Sequence, residues 1–382
     1  MSSDPTYRYP QRKTGQMSGR FFQLGQGRIS GYVSSFLGVM NLLGMLAFKF
    51  PTWFTTADLR AVYDVDVLRV VLQICLLVSL GFGTLTLVIG RRRIMGWVGI
   101  FATFTAIAIG GWAPEPGPLA EPSLSLGLDW LVLDLLGSAV LFVTIEKLLP
   151  KYPEQAILRP YWQLDLGFFA MNHLAVGALL LAGNHFAPWA FGWAVSGAVQ
   201  GFVLSLPLWV QTLLVLVCAD FAQYWVHRAF HEIPFLWRFH AVHHSTEYMD
   251  WLAGSRAHVL QVLVDRTLVM VPLYLLGASP SALNAYVVIA AFQAVFIHAN
   301  VRLSVGPLRF LVVTPQFHHW HHSSEKPAID TNYSVHFPIF DLLFRTFHLP
   351  GERWPAHYGT VTRLPQSFLA QLAWPFLPPP KG

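Results

Sequence analysis

Sixteen histidines stand in this 382-residue chain; none precedes His173, and thirteen fall between His227 and His348. They recur at helical spacings: His227-x3-His231, His240-x2-His243-His244 and His318-x2-His321-His322. Side chains at i, i+3 and i+4 share one face of a helix, so the rings of each cluster can reach a common point. Neutral imidazole is the commonest protein metal ligand. With the isolated His258 and His298 added, the set exceeds the coordination of one ion, so two metal ions are implied. His319 falls on a different helical face from His318 and His322. His336, His348 and His357 have no partner at helical spacing and receive no metal role.

Imidazole suits iron, zinc, copper and nickel alike, so donor type alone does not choose the metal. A hydrolytic zinc site, however, needs three protein ligands and an open position. Two ions surrounded by imidazoles beside apolar helices point to iron and O2, used on an unactivated C–H bond of a lipid. Hydrogen abstraction followed by hydroxyl transfer would give an alcohol, and a second abstraction an alkene. No catalytic residue beyond the metal ligands is indicated.

The elements that must carry these residues are membrane helices. The chain is 54% hydrophobic and 12% charged, with mean hydropathy +0.46, whereas soluble domains carry about 25% charged residues. Spanning the hydrocarbon takes about 20 apolar residues, and such runs lie near 30–50, 68–90, 94–113, 127–149, 165–184 and 206–226, with an apolar pair near 259–276 and 280–298. The stretch Phe186 to Ser205, with Trp189 and Trp193, reads as interfacial or re-entrant. The expected fold is therefore an all-α, multi-span transmembrane bundle with a histidine-rich metal-binding cap.

Positive charge sets its orientation. Arg8, Arg12, Lys13, Arg20 and Arg28 place the N-terminal tail in the cytoplasm. Arg91 to Arg93, Lys147 and Lys151 fall on the same side by alternate counting, against Asp58, Asp64, Asp66, Glu115 and Glu121 on the other. His227 and His231 then follow a span that ends in the cytoplasm, and His258 and His298 end the hairpin 259–298 there. Every histidine cluster arrives at one membrane face.

Metal-bound imidazoles usually donate their second N–H to an acceptor that fixes the tautomer. Asp220, seven residues before His227 and inside an apolar span, is the first candidate. Asp250, Asp330 and Asn332 are further ones, polar loop residues near the clusters. Other classes lack their signatures. No basic patch with interleaved aromatics speaks for nucleic acid. No Gly-x-Gly-x-x-Gly or serine elbow is present. Cys75 and Cys218 lie in predicted spans and cannot form an iron–sulfur site. The N-terminus has no apolar core and does not read as a signal peptide.

Three runs carry a resemblance. Asp220-Phe-Ala-Gln-Tyr-Trp-Val-His227-Arg-Ala-Phe-His231, His240-Ala-Val-His243-His244-Ser and Thr314-Pro315-Gln-Phe-His318-His-Trp-His321-His322 resemble the three histidine boxes of the fatty-acid hydroxylase/sterol desaturase superfamily. Asp330-Thr-Asn332-Tyr333 and Phe340-Asp341-Leu-Leu-Phe344-Arg-Thr346 resemble the stretch that closes its domain. The likeness covers roughly 210–348.

The resemblance implies a non-haem diiron oxygenase with a cytoplasmic metal cap. Its ligands would be His227, His231, His240, His243, His244, His318, His321 and His322. His258, in Ser255-Arg-Ala-His258 with Val259 where relatives often have proline, and His298, in Ile297-His298-Ala-Asn300, would join them. Ser334 and Arg345 stand where many relatives have glycine. Two iron ions and O2 would be required, with no haem, flavin or nicotinamide site. No heme domain is visible in the tails, so electrons would come from a separate cytochrome b5- or ferredoxin-type donor with its reductase.

The expected organisation is a cytoplasmic tail (1–28), a four-span membrane module (29–150), a linker with additional membrane segments (151–209), the catalytic domain (210–348) and a C-terminal tail (349–382). Integral insertion in a bacterial inner membrane fits the short C-terminus. Hydroxylation of a fatty acyl or related lipid chain is the leading reading. The alternatives are a desaturase acting on a sterol or acyl chain and, from another class, a membrane metal transporter or metal-binding protein. The box residues do not separate hydroxylation from desaturation, because both use the same ligands. A transporter would place its ligands in mid-membrane instead.

Overall fold

The computed structural model describes residues 28–56, 64–90, 93–118, 126–175 and 185–378. Arg8, Arg12, Lys13, Arg20, Asp58, Arg91, Arg92 and Glu121, used above for orientation, lie outside those residues. Among the described residues there is no strand, and extended pairing is limited to isolated bridges such as Pro150 with Val301. Five helices are long and apolar enough to cross a membrane, and the chain is an integral membrane protein.

The residues divide into two compact units, one ending at Gly137 and the other beginning at Ser138. The first contains α1 (Arg28–Lys49), α2 (Val65–Ile89) and α3 (Ile94–Gly110). In lipid, helices gain little from burying apolar surface and associate through close packing and hydrogen bonds. Glycines permit the approach: a Cβ at Gly99 would lie 2.5 Å from the backbone carbonyl carbon of Ser34. A buried hydroxyl seam then forms. Ser34 Oγ donates to Ser79 O at 2.8 Å, Ser79 Oγ returns to Ser34 O at 2.9 Å, and Thr103 Oγ1 bonds Ser79 Oγ at 2.8 Å.

The helix α4 (Leu128–Leu148) contains the division and enters the second unit. That unit continues with α5 (Trp162–Leu174), α6 (Gly197–Ser205), α7 (Leu208–Glu232), α8 (Pro234–His244), α9 (Val259–Leu276), α10 (Pro280–Phe296), α11 (Pro315–His321) and α12 (Phe368–Ala373). Only the first part of the 165–184 run is described, as α5; 176–184 lies outside the described residues. The stretch 186–205 breaks into a short helix, a 3-10 turn at Gly192–Ala194 and α6, with Trp189 and Trp193 more than 80% exposed.

The core of this unit is α7 against α9 and α10, where Val215, Leu216, Ala219, Val269, Leu273, Ala282, Tyr286 and Ala290 pack together. Local chemistry starts and stops the helices that carry histidines. Pro234, Pro280 and Pro315 open α8, α10 and α11, a position that needs no amide hydrogen. Ser279 and Thr314 cap the last two by accepting from Ala282 N and Phe317 N. Gly277, at φ 65°, ends α9 in the left-handed region that glycine enters freely. One boundary differs from expectation. The helix runs on past the apolar span expected near 206–226 to Glu232, so His227 and His231 occupy its last turns, at the helical spacing read from the sequence.

Candidate metal centre

Four segments deliver nine imidazoles to two adjoining groups. The end of α7 supplies His227 and His231, α8 supplies His240, His243 and His244, the turn after α10 supplies His298, and α11 with its C-cap supplies His318, His321 and His322. His227, His231, His240, His244 and His321 form one group; His243, His298, His318 and His322 form the other. Alternate members of one triplet thus face different groups, because 100° of helix rotation separates successive residues. The groups abut, with the His244 and His322 rings stacked 4.4 Å apart.

Within each group the Nε2 atoms converge. In the five-membered group, His227 lies 3.0 Å from His240, His240 3.1 Å from His244 and His244 3.0 Å from His321. In the four-membered group, His298 lies 3.2 Å from His243, 2.9 Å from His318 and 3.2 Å from His322.

The outward nitrogens explain which tautomer is present. His227 Nδ1 meets Tyr333 O at 2.7 Å, His321 Nδ1 meets Thr331 O at 2.8 Å, His243 Nδ1 meets Arg256 O at 3.0 Å and His298 Nδ1 meets Ala294 O at 2.7 Å. A carbonyl oxygen only accepts, so each of these Nδ1 atoms carries the proton and each Nε2 is a bare lone pair. His231 Nδ1 faces Asp330 Oδ1 at 3.2 Å, leaving its Nε2 buried without a protein partner. The Nδ1 atoms of His240, His318 and His322 are buried without an acceptor, so no outward hydrogen bond fixes those rings.

His243 and His298 are the decisive pair. Both protons are committed outward, so two lone pairs face each other at 3.2 Å with no hydrogen between them. That contact is repulsive unless a cation sits there, and the donor set therefore fits a metal ion. Nitrogens about 3.0 Å apart and each about 2.1 Å from one ion subtend roughly a right angle, the angle of five- and six-coordinate sites and not of tetrahedral ones.

Electrostatics supports the same state. Burial, reinforced by neighbouring imidazoles, pushes His240, His244, His318, His321 and His322 well below the ordinary histidine pKa, and His243 and His298 down to about 3. Desolvation disfavours the charged form, so these rings are neutral at pH 7 and competent to bind metal.

One expected ligand is not brought in. His258 is the N-cap of α9: its Nδ1 accepts from Leu260 N at 3.2 Å, and its Nε2 donates to Leu372 O at 3.1 Å. Both nitrogens are used structurally, which corrects the ligand expectation for this residue. Asp220 likewise touches none of the nine rings. Its carboxylate accepts from Val335 N, His336 N and Phe337 N at 2.8 to 3.0 Å and lies 3.3 Å from His336 Nδ1. It fixes the turn after Tyr333, so its influence on His227 passes through the backbone.

Asp330 does contact a ring, His231. Asn332 contacts none: it donates to Phe317 O and His348 O and accepts from His348 N. Both residues sit at positive φ, 59° and 61°, where Asp and Asn are tolerated best among residues with a side chain. Arg345 also sits at φ 61°. His319 turns away from both groups to Ala299 O and the Tyr358 hydroxyl.

Sequence reasoning missed the supports that are not side chains: the carbonyls of Arg256, Ala294, Thr331 and Tyr333. It also passed over Glu146, Arg159 and Asp165. Glu146 and Asp165 are carboxylates inside apolar runs, so the signal that singled out Asp220 was available for both.

Residues 212–346 match the family described as fatty acid hydroxylase. The ornithine lipid hydroxylase OlsE of Rhizobium tropici is 39% identical over 170 residues, covering 44% of this chain and 51% of that protein. Human alkylglycerol monooxygenase is 33% identical over 134 residues, covering 35% of this chain and 30% of its own length. The very-long-chain aldehyde decarbonylase GL1-4 of Oryza sativa subsp. indica is 26% identical over 161 residues, 38% of this chain and 25% of that protein. The matches thus span about half or less of these relatives. No solved structure matches the chain.

Proposed function

We propose that this chain, whose residues 212–346 match the fatty acid hydroxylase family, is a membrane oxygenase that hydroxylates an unactivated C–H bond of a polar lipid. The observation that carries the reading is the His243–His298 contact, two proton-free nitrogens held 3.2 Å apart by carbonyls behind them. Two iron ions are the cations proposed, one held by His227, His231, His240, His244 and His321, the other by His243, His298, His318 and His322. Bound there, they would supply the activation of O2 needed to attack an aliphatic C–H bond.

The protein's own contribution is positional. Carbonyls behind four of the rings hold their Nε2 lone pairs inward. Burial keeps the rings neutral. The balance is R–H + O2 + two electrons + two protons giving R–OH + H2O. A separate carrier of the cytochrome b5 or ferredoxin class, with its reductase, would deliver the electrons.

The substrate class rests on the two relatives named for ornithine lipid and alkylglycerol oxidation, which supports a polar lipid over a free fatty acid. A closed, locked donor set supports catalysis over ion passage. For orientation, the C-terminal end of α4 is bonded to the loop after His298: Lys151 N donates to Asn300 O at 3.1 Å and Arg302 N to Leu149 O at 2.8 Å. With Lys147 and Lys151 at that end, the metal centre is assigned to the cytoplasmic side, in a bacterial inner membrane.

Metal analysis of detergent-purified protein, followed by lipid profiling of expressing cells under 18O2, tests the proposal. Iron in both groups and a lipid gaining one labelled oxygen is the expected result. Loss of two hydrogens without label would make the enzyme a desaturase. A folded protein that binds no metal would end the reading.

A further inference from the structure

The two histidine groups rest on different supports. In the five-membered group, His227, His231 and His321 take their outward partners from Tyr333, Asp330 and Thr331, one short loop. That loop is held by Asp341, whose carboxylate accepts from Tyr333 N at 2.8 Å and Ser334 N at 2.9 Å, and by Asn332. In the four-membered group, His243 takes its partner from Arg256 O, and His298 from Ala294 O.

Arg256 is held by a buried ionic network that begins outside the matched domain. Its Nε donates to Asp165 and its Nη1 to Ser245 Oγ at 3.3 Å. Arg159 Nη2 reaches Asp165 Oδ2 at 2.5 Å, and Arg159 binds both oxygens of Asp250 at 2.7 and 2.8 Å. Asp250 Oδ1 also caps the backbone at Leu252 N and Ala253 N. All four charged residues are at most 3% exposed. Nearby, Glu146 Oε1 accepts from Trp251 N at 2.7 Å and from Asn300 N at 2.9 Å, two residues beyond His298.

Two arginines and two aspartates withdrawn from water are costly unless the geometry is good, and a fixed arrangement is the attested use of such networks. This one grips the loop 245–256 that presents the Arg256 carbonyl, while Glu146 grips the turn after His298. We infer that Glu146, Arg159 and Asp165 are positioning residues for the four-histidine group, so that each metal position has its own support and either can be loosened without the other. The inference rests on reading the two groups as metal sites.

Cobalt(II) titration of the full-length, metal-stripped protein tests it, with elemental analysis for stoichiometry and the visible spectrum to tell a five-imidazole from a four-imidazole environment. Wild type should take one cobalt per histidine group. Arg159→Gln should weaken only the four-imidazole band, by roughly 10–100-fold in affinity, the range of changes behind a ligand. Asp341→Asn should weaken only the other band. If Arg159→Gln fails to fold by circular dichroism and size exclusion, Asp250→Asn serves in its place. It keeps an oxygen for Leu252 N and Ala253 N and should move the same band less. Parallel weakening of both bands would make the network a general fold support and overturn the inference, as would unchanged binding. A wild type that binds no cobalt would instead remove the metal-site reading and the inference with it.

Discussion

Asn332 offers the sharpest test of how the five-histidine group is held. It is fully buried, sits at φ 61°, and makes three hydrogen bonds: to Phe317 O at 3.0 Å, to His348 O at 2.7 Å and from His348 N at 2.7 Å. Asn332→Ala removes all three and leaves buried backbone groups unpaired, at about 1 kcal/mol net for each bond. It also places a Cβ without local side-chain hydrogen bonds in the left-handed region, adding about 1–2 kcal/mol. The expected loss is therefore about 4–5 kcal/mol.

Asn332→Gly loses the same bonds without the backbone strain, but gives the unfolded chain more freedom, worth about 0.5–1 kcal/mol. It should be no worse than alanine, and better if the strain is real. Because Asn332 lies between the acceptors of His231, His321 and His227, both variants should also loosen metal in that group by roughly 10–100-fold. Reversible unfolding in mixed detergent, paired with chelator competition, measures both effects. An alanine variant within 0.5 kcal/mol of wild type would refute the hydrogen-bond reasoning. A glycine variant clearly less stable than alanine would refute the strain argument.

Three other substitutions separate ligands from supports. His321→Ala should abolish lipid oxidation and lower bound metal while leaving membrane insertion intact; full activity would remove it from the donor set. His258→Ala, in contrast, should leave the metal content of both groups unchanged and cost about 1 kcal/mol as a lost helix cap, and metal loss without unfolding would restore it as a ligand. Asp220→Asn should act mainly on stability, by about 1–3 kcal/mol, since an amide oxygen replaces a carboxylate that accepts three backbone N–H groups, and chelator competition should show a smaller change than for Asn332→Ala.

Much of the centre was legible in the chain because helical spacing is a local property. His227 and His231 at i, i+4, and the triplets ending at His244 and His322, declare shared faces wherever the helices go. Long apolar runs likewise declare membrane helices, since a continuous apolar segment in lipid satisfies its backbone hydrogen bonds within itself only as a helix. Spacing does not say which group a ring joins. His240 and His244 face one group and His243 the other, a division set by how α8 packs between α7 and α11. An isolated histidine carries even less: His258 and His298 both flank apolar helices, yet one became a cap and the other a centre of the four-membered group. The supports were least legible of all. Backbone carbonyls have no residue type to betray them, and Arg159, Asp165, Asp250 and Arg256, spread over nearly a hundred positions, become one network only when tertiary packing withdraws them together from solvent and sets the arginines against the aspartates.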